Sequence, residues 1–177
     1  MNDAEFDWTL IAPDFEYDGE QLDLYIHKTT AAHWQAVCDY LSTISPTPTL
    51  NRGEGEEPLT APVPVGELLS LIESGILAPS IYIQLSDLHL TGFMFCKEEI
   101  EFVLDPRDIV GPREAQLAGQ FMEDLSRVSH RPVILSSENN RGDAIAIARA
   151  PRHTVYWTAL DQPGVPYWKR RRPFPLF

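Results

Sequence analysis

The chain has 177 residues, of which 44% are apolar and 23% are charged. These proportions predict one folded domain over residues 1–177 and exclude wholesale disorder, a coiled coil and a collagen-like repeat. No apolar run approaches the roughly 20 residues that span a bilayer, and the N-terminus does not have the basic-then-apolar order of a secretion signal. We therefore expect a cytoplasmic protein that does not enter membranes.

The charge is strongly negative and unevenly distributed. The net charge is -12, yet residues 1–148 contain 25 acidic and 8 basic side chains, whereas residues 149–177 contain 1 acidic and 6 basic ones. An acidic body repels phosphate, so we expect the main domain to bind no nucleic acid. It favours a basic protein partner, because complementary charge accelerates encounter. Solubility alone is the alternative explanation.

The first half of the chain predicts a strand and two helices. Residues 1–20 mix acidic and apolar side chains, which predicts an irregular arm or a short strand. Alternation over residues 22–27 predicts a half-buried strand. Apolar spacing from Trp34 to Ile44 predicts an amphipathic helix, capped by Thr29 or Thr30 and ended by Pro46.

A Pro- and Glu-rich segment, residues 46–64, is predicted to be a long surface loop, since its five prolines disfavour regular structure. A short helix should follow and end near Gly75. Alternating residues between 81 and 104 then predict two or three antiparallel strands.

The second half predicts the most regular helix of the chain. It opens at Pro112 and carries Leu117, Phe121 and Leu125 on one buried face. Three short strands should follow, and then a basic aromatic tail over residues 161–177. The predicted fold is α+β: a two-layer domain with a mostly antiparallel sheet and two to three helices.

The motifs of catalysis are missing from the sequence. Five histidines lack metal-binding spacing, and neither a phosphate-binding glycine loop nor a GxSxG motif is present. Cys38 and Cys96 lie within apolar patterns that suit buried thiols. We expect no enzyme activity, no cofactor, no metal site and no catalytic residue.

Clustered acids and a few large aromatics are the candidate partner contacts. Like charges at this density repel one another, and an opposite-signed partner would relieve that repulsion. Tyr82 is a third possible apolar anchor beside two tryptophans. The candidates are Asp14, Glu16, Asp18 and Glu20 in the arm; Glu54, Glu56 and Glu57 in the loop; Glu98, Glu99 and Glu101 at a strand edge; and Trp157 and Trp168.

The tail around Lys169–Arg172 could serve as a nucleic-acid arm, because aromatics beside arginine offer stacking and charge together. On an acidic body its first partner is expected to be the protein's own surface, within one chain or between two subunits. The protein is expected to be a monomer or a homodimer.

Residues 98–140 resemble small acidic immunity proteins, the antidotes to polymorphic bacterial toxins. The matching pieces are IEFVLDPR over residues 100–107, an amphipathic helix, and HRPVILSSEN over residues 130–139. The resemblance implies a protein that occludes a basic toxin, such as a nuclease, without chemistry of its own. The alternatives are a structural or phage-related assembly protein and, third, a small-ligand or sugar-acting enzyme.

Overall fold

The computed structural model describes residues 6–53, 55–75, 79–140 and 144–161. Within them four helices and nine strands form an α+β fold, as the sequence predicts. The helices are α1 (Trp8–Ile11), α2 (Ala31–Leu41), α3 (Val65–Glu73) and α4 (Pro112–Ser129). The strands are β1 (Leu22–His27), β2 (Thr49–Asn51), β3 (Glu56–Pro58), β4 (Ser80–Leu85), β5 (Leu88–Cys96), β6 (Glu99–Leu104), β7 (Val133–Ser137), β8 (Ala144–Ala148) and β9 (Val155–Trp157).

All nine strands belong to one sheet in the order β3-β2-β4-β5-β6-β1-β7-β8-β9. Every neighbouring pair is antiparallel. The strand order departs from the chain order at β1, which pairs with β6 on one side and β7 on the other. Strand β1 is therefore a central strand of the sheet.

The helices form one layer over one face of the sheet. Helix α2 buries Trp34 and Val37, and α4 buries Phe121 and Leu125 in the same main core. Pro112 occupies the first turn of α4 as predicted, where its missing N–H costs no hydrogen bond. Leu117 is half-buried at the margin of the core and was predicted to be buried.

Three sequence expectations change in detail. Residues 8–15 form α1 and a 3-10 turn, and neither an irregular arm nor a strand, because Asp7 accepts a hydrogen bond from the Thr9 backbone N–H and caps the helix. Helix α2 ends at Leu41, three residues before Ile44. Four helices are described where two or three were expected, since the short α1 lies in the segment read as irregular.

The prediction that residues 46–64 form a surface loop is partly wrong. It contains β2 and β3, a small hairpin that extends the sheet beyond β4. Leu50, Leu59 and Val63 are buried in the core and hold the segment in place. Pro58 ends the outermost strand, a position where a proline removes no internal hydrogen bond of the sheet.

No helix in the described ranges has the length and apolar character that crossing a membrane requires.

Candidate functional site

The candidate site is the face of the sheet opposite the helix layer. The apolar sides of all four described helices lie in the main core with Leu24, Phe102 and Trp157, which face one side of the sheet. Side chains alternate between the two sides along each strand. We call the opposite side the open face. One row of it crosses six strands and contains Phe93, Glu101, Tyr25, Ile134, Ile147 and Tyr156.

The open face is divided into two halves of different exposure. We call the part on β1, β7 and β8 the buried half. There, Ile134 is 1% exposed and Ile147 is 9% exposed. We call the part on β4 and β5 the exposed half. There, Tyr82 is 39% exposed and Phe95 is 56% exposed. The Phe95 ring stacks on the Phe93 ring with centroids 5.4 Å apart. The exposed half therefore presents large aromatic surface, the kind of side chain that anchors protein interfaces.

A buried carboxylate lies at the centre of the face. Asp23 is 2% exposed. Its Oδ2 accepts a hydrogen bond from the Tyr25 hydroxyl at 2.6 Å and another from the Asn139 backbone N–H at 2.8 Å. These bonds satisfy the desolvated carboxylate and tie β1 to the turn after β7.

The acids of β6 lie in the middle of the sheet. Glu99 and Glu101 were expected at a strand edge, but β6 pairs with β5 on one side and with β1 on the other. The Glu99 carboxylate is 2.7 Å from His27 Nδ1, and each side chain is 17% exposed. Glu98 lies in the turn between β5 and β6, and its side chain is 63% exposed. Of this predicted cluster, only Glu98 is exposed.

The two glutamates of β3 are on opposite sides of the sheet. Glu56 pairs with Asn51, and this register continues onto the open face. Glu57 pairs with Leu50 on the helix side, and its carboxylate is 2.7 Å from Arg52 Nε. Both glutamates are exposed. Only Glu56 of this pair contributes to the acidity of the open face.

The acidic arm is only partly available for binding. Glu16, Asp18 and Glu20 are exposed. Asp14 is 6% exposed because it lies in the 3-10 turn that buries Phe15, which corrects its placement among the solvent-facing contacts.

The arm is anchored at the end of β6. The Arg107 guanidinium stacks over the Tyr17 ring at 4.4 Å. Hydrogen bonds from the same guanidinium hold the pKa of Asp105 below its usual range. The arm therefore lies beyond Leu22 and Leu104, which pair with each other.

The three predicted acidic clusters occupy separate places. The arm is at one end of the β1–β6 pair, and Glu98 follows β5 at the other end, a strand length of about 20 Å away. Strand β3 is at the far edge of the sheet. Glu56 lies on the same side of the sheet as the exposed half, whereas Glu98 lies beside Ile72 and Glu73 of α3 and the arm faces a different region.

The remaining sequence candidates are placed as follows. Trp157 is 3% exposed, with its ring centroid 6.1 Å from that of Phe6 and 5.9 Å from that of Phe15, so it is a core residue and its proposed role as an interface anchor is corrected. Glu54 and Trp168 lie outside the described residues.

A serine–histidine contact is present but does not form an accessible site. The Ser126 hydroxyl lies 2.9 Å from His153 Nδ1 and donates to the Arg131 carbonyl. Ser126 is fully buried at the end of α4, so the contact joins this helix to the segment before β9. Within the described residues, no group of three or more potential ligands is arranged to hold a metal ion.

Phe93 and Phe95 were missed as site residues, although their signal is in the sequence. Leu88 and Leu90 point to the helix side, and the same period of two continues through Gly92 and Met94. Extending the alternation past the glycine would have placed the two phenylalanines on the open face.

Comparison with known proteins yields no matching family model, curated relative or solved structure.

Proposed function

We propose that this protein is an immunity protein that binds a basic toxin and neutralises it by occlusion, without catalysing a reaction. The observation that carries the proposal is the pair of exposed aromatics, Tyr82 and Phe95, on an acidic sheet face. Aromatic anchors supply affinity at interfaces, and surrounding carboxylates supply steering and specificity toward a basic surface. The proposed binding surface is the exposed half together with Glu56.

The net charge of -12 supports the same partner class. A toxin that acts on nucleic acid must itself be basic to hold phosphate, so a carboxylate-bearing face can compete for the same groove. We propose that the complex forms in the cytoplasm, where such a toxin would act.

Co-expression tests this function. The product of the gene adjacent to the one encoding this chain is expressed in bacterial cells with and without this protein. We expect the neighbour to arrest growth alone and the pair to grow normally, with the two proteins purifying as one complex. A neighbour that is harmless, or toxicity that this protein does not relieve, contradicts the proposal. Assembly of this protein with a non-toxic neighbour would favour the structural alternative.

Two test variants and one control variant locate the surface. Tyr82→Ala should weaken the complex by about 2 kcal/mol or more, roughly 30-fold in Kd, as for an aromatic anchor at an interface centre. Phe95→Ala should weaken it in the same direction, whereas Val110→Ala, which removes an exposed side chain outside the sheet, should leave it unchanged. Equal effects of Phe95→Ala and Val110→Ala would remove the exposed half from the proposal.

A further inference from the structure

The buried half of the open face has apolar side chains that no described helix covers. Ile134, Ala144 and Ile147 form a cluster that is separate from the main core, and they are 1%, 0% and 9% exposed. The four described helices pack in the main core on the other side of the sheet. An antiparallel sheet with one solvated face normally carries polar residues there. The four described helices therefore do not account for the burial of this cluster.

The segment after β9 has the composition to cover this cluster. Residues 162–177 contain no acid, four consecutive bases at Lys169–Arg172, and the aromatic residues Tyr167, Trp168, Phe174 and Phe177. The charge of this segment is opposite to that of Glu99 and Glu101, which border the buried half on β6. Its aromatic side chains match the apolar cluster.

The position and length of the segment also fit. The 3-10 turn Thr158–Asp161 directly follows β9, which is the neighbour of β8 at this edge of the sheet. From β9 to β6 is four strand spacings, about 19 Å. Sixteen extended residues reach about 50 Å. The segment is long enough to cross the buried half and bring its bases to the acids of β6.

We propose that the buried half of the open face is an intramolecular docking site for residues 162–177 of the same chain. The site takes a basic, aromatic peptide: the cluster of Ile134 and Ile147 contacts its aromatic side chains, and Glu99 and Glu101 attract its bases. The exposed half remains available to a second protein. This inference concerns the isolated protein and does not rest on the proposed function.

Paramagnetic labelling of the full chain tests the docking. The parent for the test carries Cys96→Ser and Pro173→Cys with a nitroxide on the new thiol, while Cys38 stays buried. We expect the nitroxide to broaden and remove the amide signals of residues on β1, β7 and β6. Signals of Leu50 and Thr49 on β2, at the far side of the sheet, should keep their intensity.

A second variant supplies the matched control. Replacement of Lys169, Arg170, Arg171 and Arg172 by Gln in the labelled chain should restore the lost signals, because the attraction to β6 is removed. The fold of both chains is checked by their remaining amide spectra. If the label broadens nothing on β1, β6 and β7, or if the Gln variant broadens the same signals equally, the proposal fails.

A mixing experiment distinguishes docking within one chain from docking between two chains. Isotope-labelled protein without nitroxide is combined with unlabelled protein that carries the nitroxide. Docking within one chain predicts that the mixed sample shows no broadening on β1, β6 and β7. Broadening in the mixed sample would assign the site to the segment of a second copy and overturn the intramolecular proposal.

Discussion

The rings of Phe102 on β6 and Phe121 on α4 meet edge to face, with centroids 5.5 Å apart and planes at 78°. This contact joins the central sheet to the longest helix, and both side chains are almost completely buried. Tyr40 of α2 approaches the same Phe121 ring at 6.4 Å. The contact therefore fixes the helix layer on one face of the sheet, opposite the open face.

Truncation of this contact should be costly. We expect Phe121→Ala to lower the free energy of unfolding by about 3 to 5 kcal/mol, the range for removing a large buried ring. Gln116→Ala on the exposed side of α4 is the control and should change it by less than about 0.5 kcal/mol. Urea unfolding measures both. A loss under about 1 kcal/mol for Phe121→Ala would show that the helix does not depend on this ring.

Gly92 lies against the Phe102 ring and gives a second pair of test and control variants. A Cβ at Gly92 would lie 2.8 Å from Phe102 Cε1, inside contact distance, and a Cβ at Gly66 of α3 would meet nothing within 4 Å. Gly92→Ala should destabilise the fold by about 1 to 3 kcal/mol through overpacking. Gly66→Ala should stabilise it by up to about 1 kcal/mol through helix propensity. Thermal unfolding in which both variants shift in the same direction would contradict this account.

The two cysteines should differ in reactivity. Burial raises the pKa of the Cys38 thiol to about 12, so almost none of it is thiolate at pH 8. Cys96 is partly exposed. A maleimide should modify Cys96 in the folded protein and Cys38 only after denaturation, as peptide mass mapping can report. Modification of Cys38 at an equal rate under native conditions would show that its pocket opens readily.

The same pKa predicts a loss of stability in alkali. The unfolded chain releases the Cys38 proton near pH 8.5 and the folded chain near pH 12, so this thiol contributes its full stability below about pH 8.5 and loses it as pH rises toward 12. Urea unfolding at pH 8 and pH 10 should show a smaller loss for Cys38→Ala than for the parent. Identical losses would assign the alkaline sensitivity to other groups.

Period and composition predicted the regular elements but not how they combine. The alternation of Leu22, Leu24 and Ile26 identified β1, and Pro112 identified the start of α4, because both signals are local. The pairing of β1 with β6 and β7 joins residues 72 to 115 positions apart, so no local pattern contains it. The β2–β3 hairpin was not predicted because the segment is rich in proline. Its prolines lie at the end of β3 or outside the paired residues.

The sequence predicted that the candidate site is acidic, but it did not predict where the acidic residues lie on the sheet. The sequence identifies Glu56 and Glu57 as one cluster, but the pleat of β3 places them on opposite sides of the sheet. Asp14 and Trp157 were expected to be available to a partner because acidity and aromaticity are typical of interfaces. Tertiary packing buries both, and a composition argument contains no information on packing.

The pleat of β3 also supplies the most direct test of the proposed binding surface. The rate of association between this protein and the co-expressed toxin is measured over a series of salt concentrations for the parent, Glu56→Gln and Glu57→Gln. Both variants remove one exposed charge two strands from Tyr82, but only Glu56 faces the open side. We expect association of the parent to slow steeply with salt, and Glu56→Gln to slow association at low salt more than Glu57→Gln does. A rate that is independent of salt, or equal effects of the two variants, would contradict an acidic interface on this face.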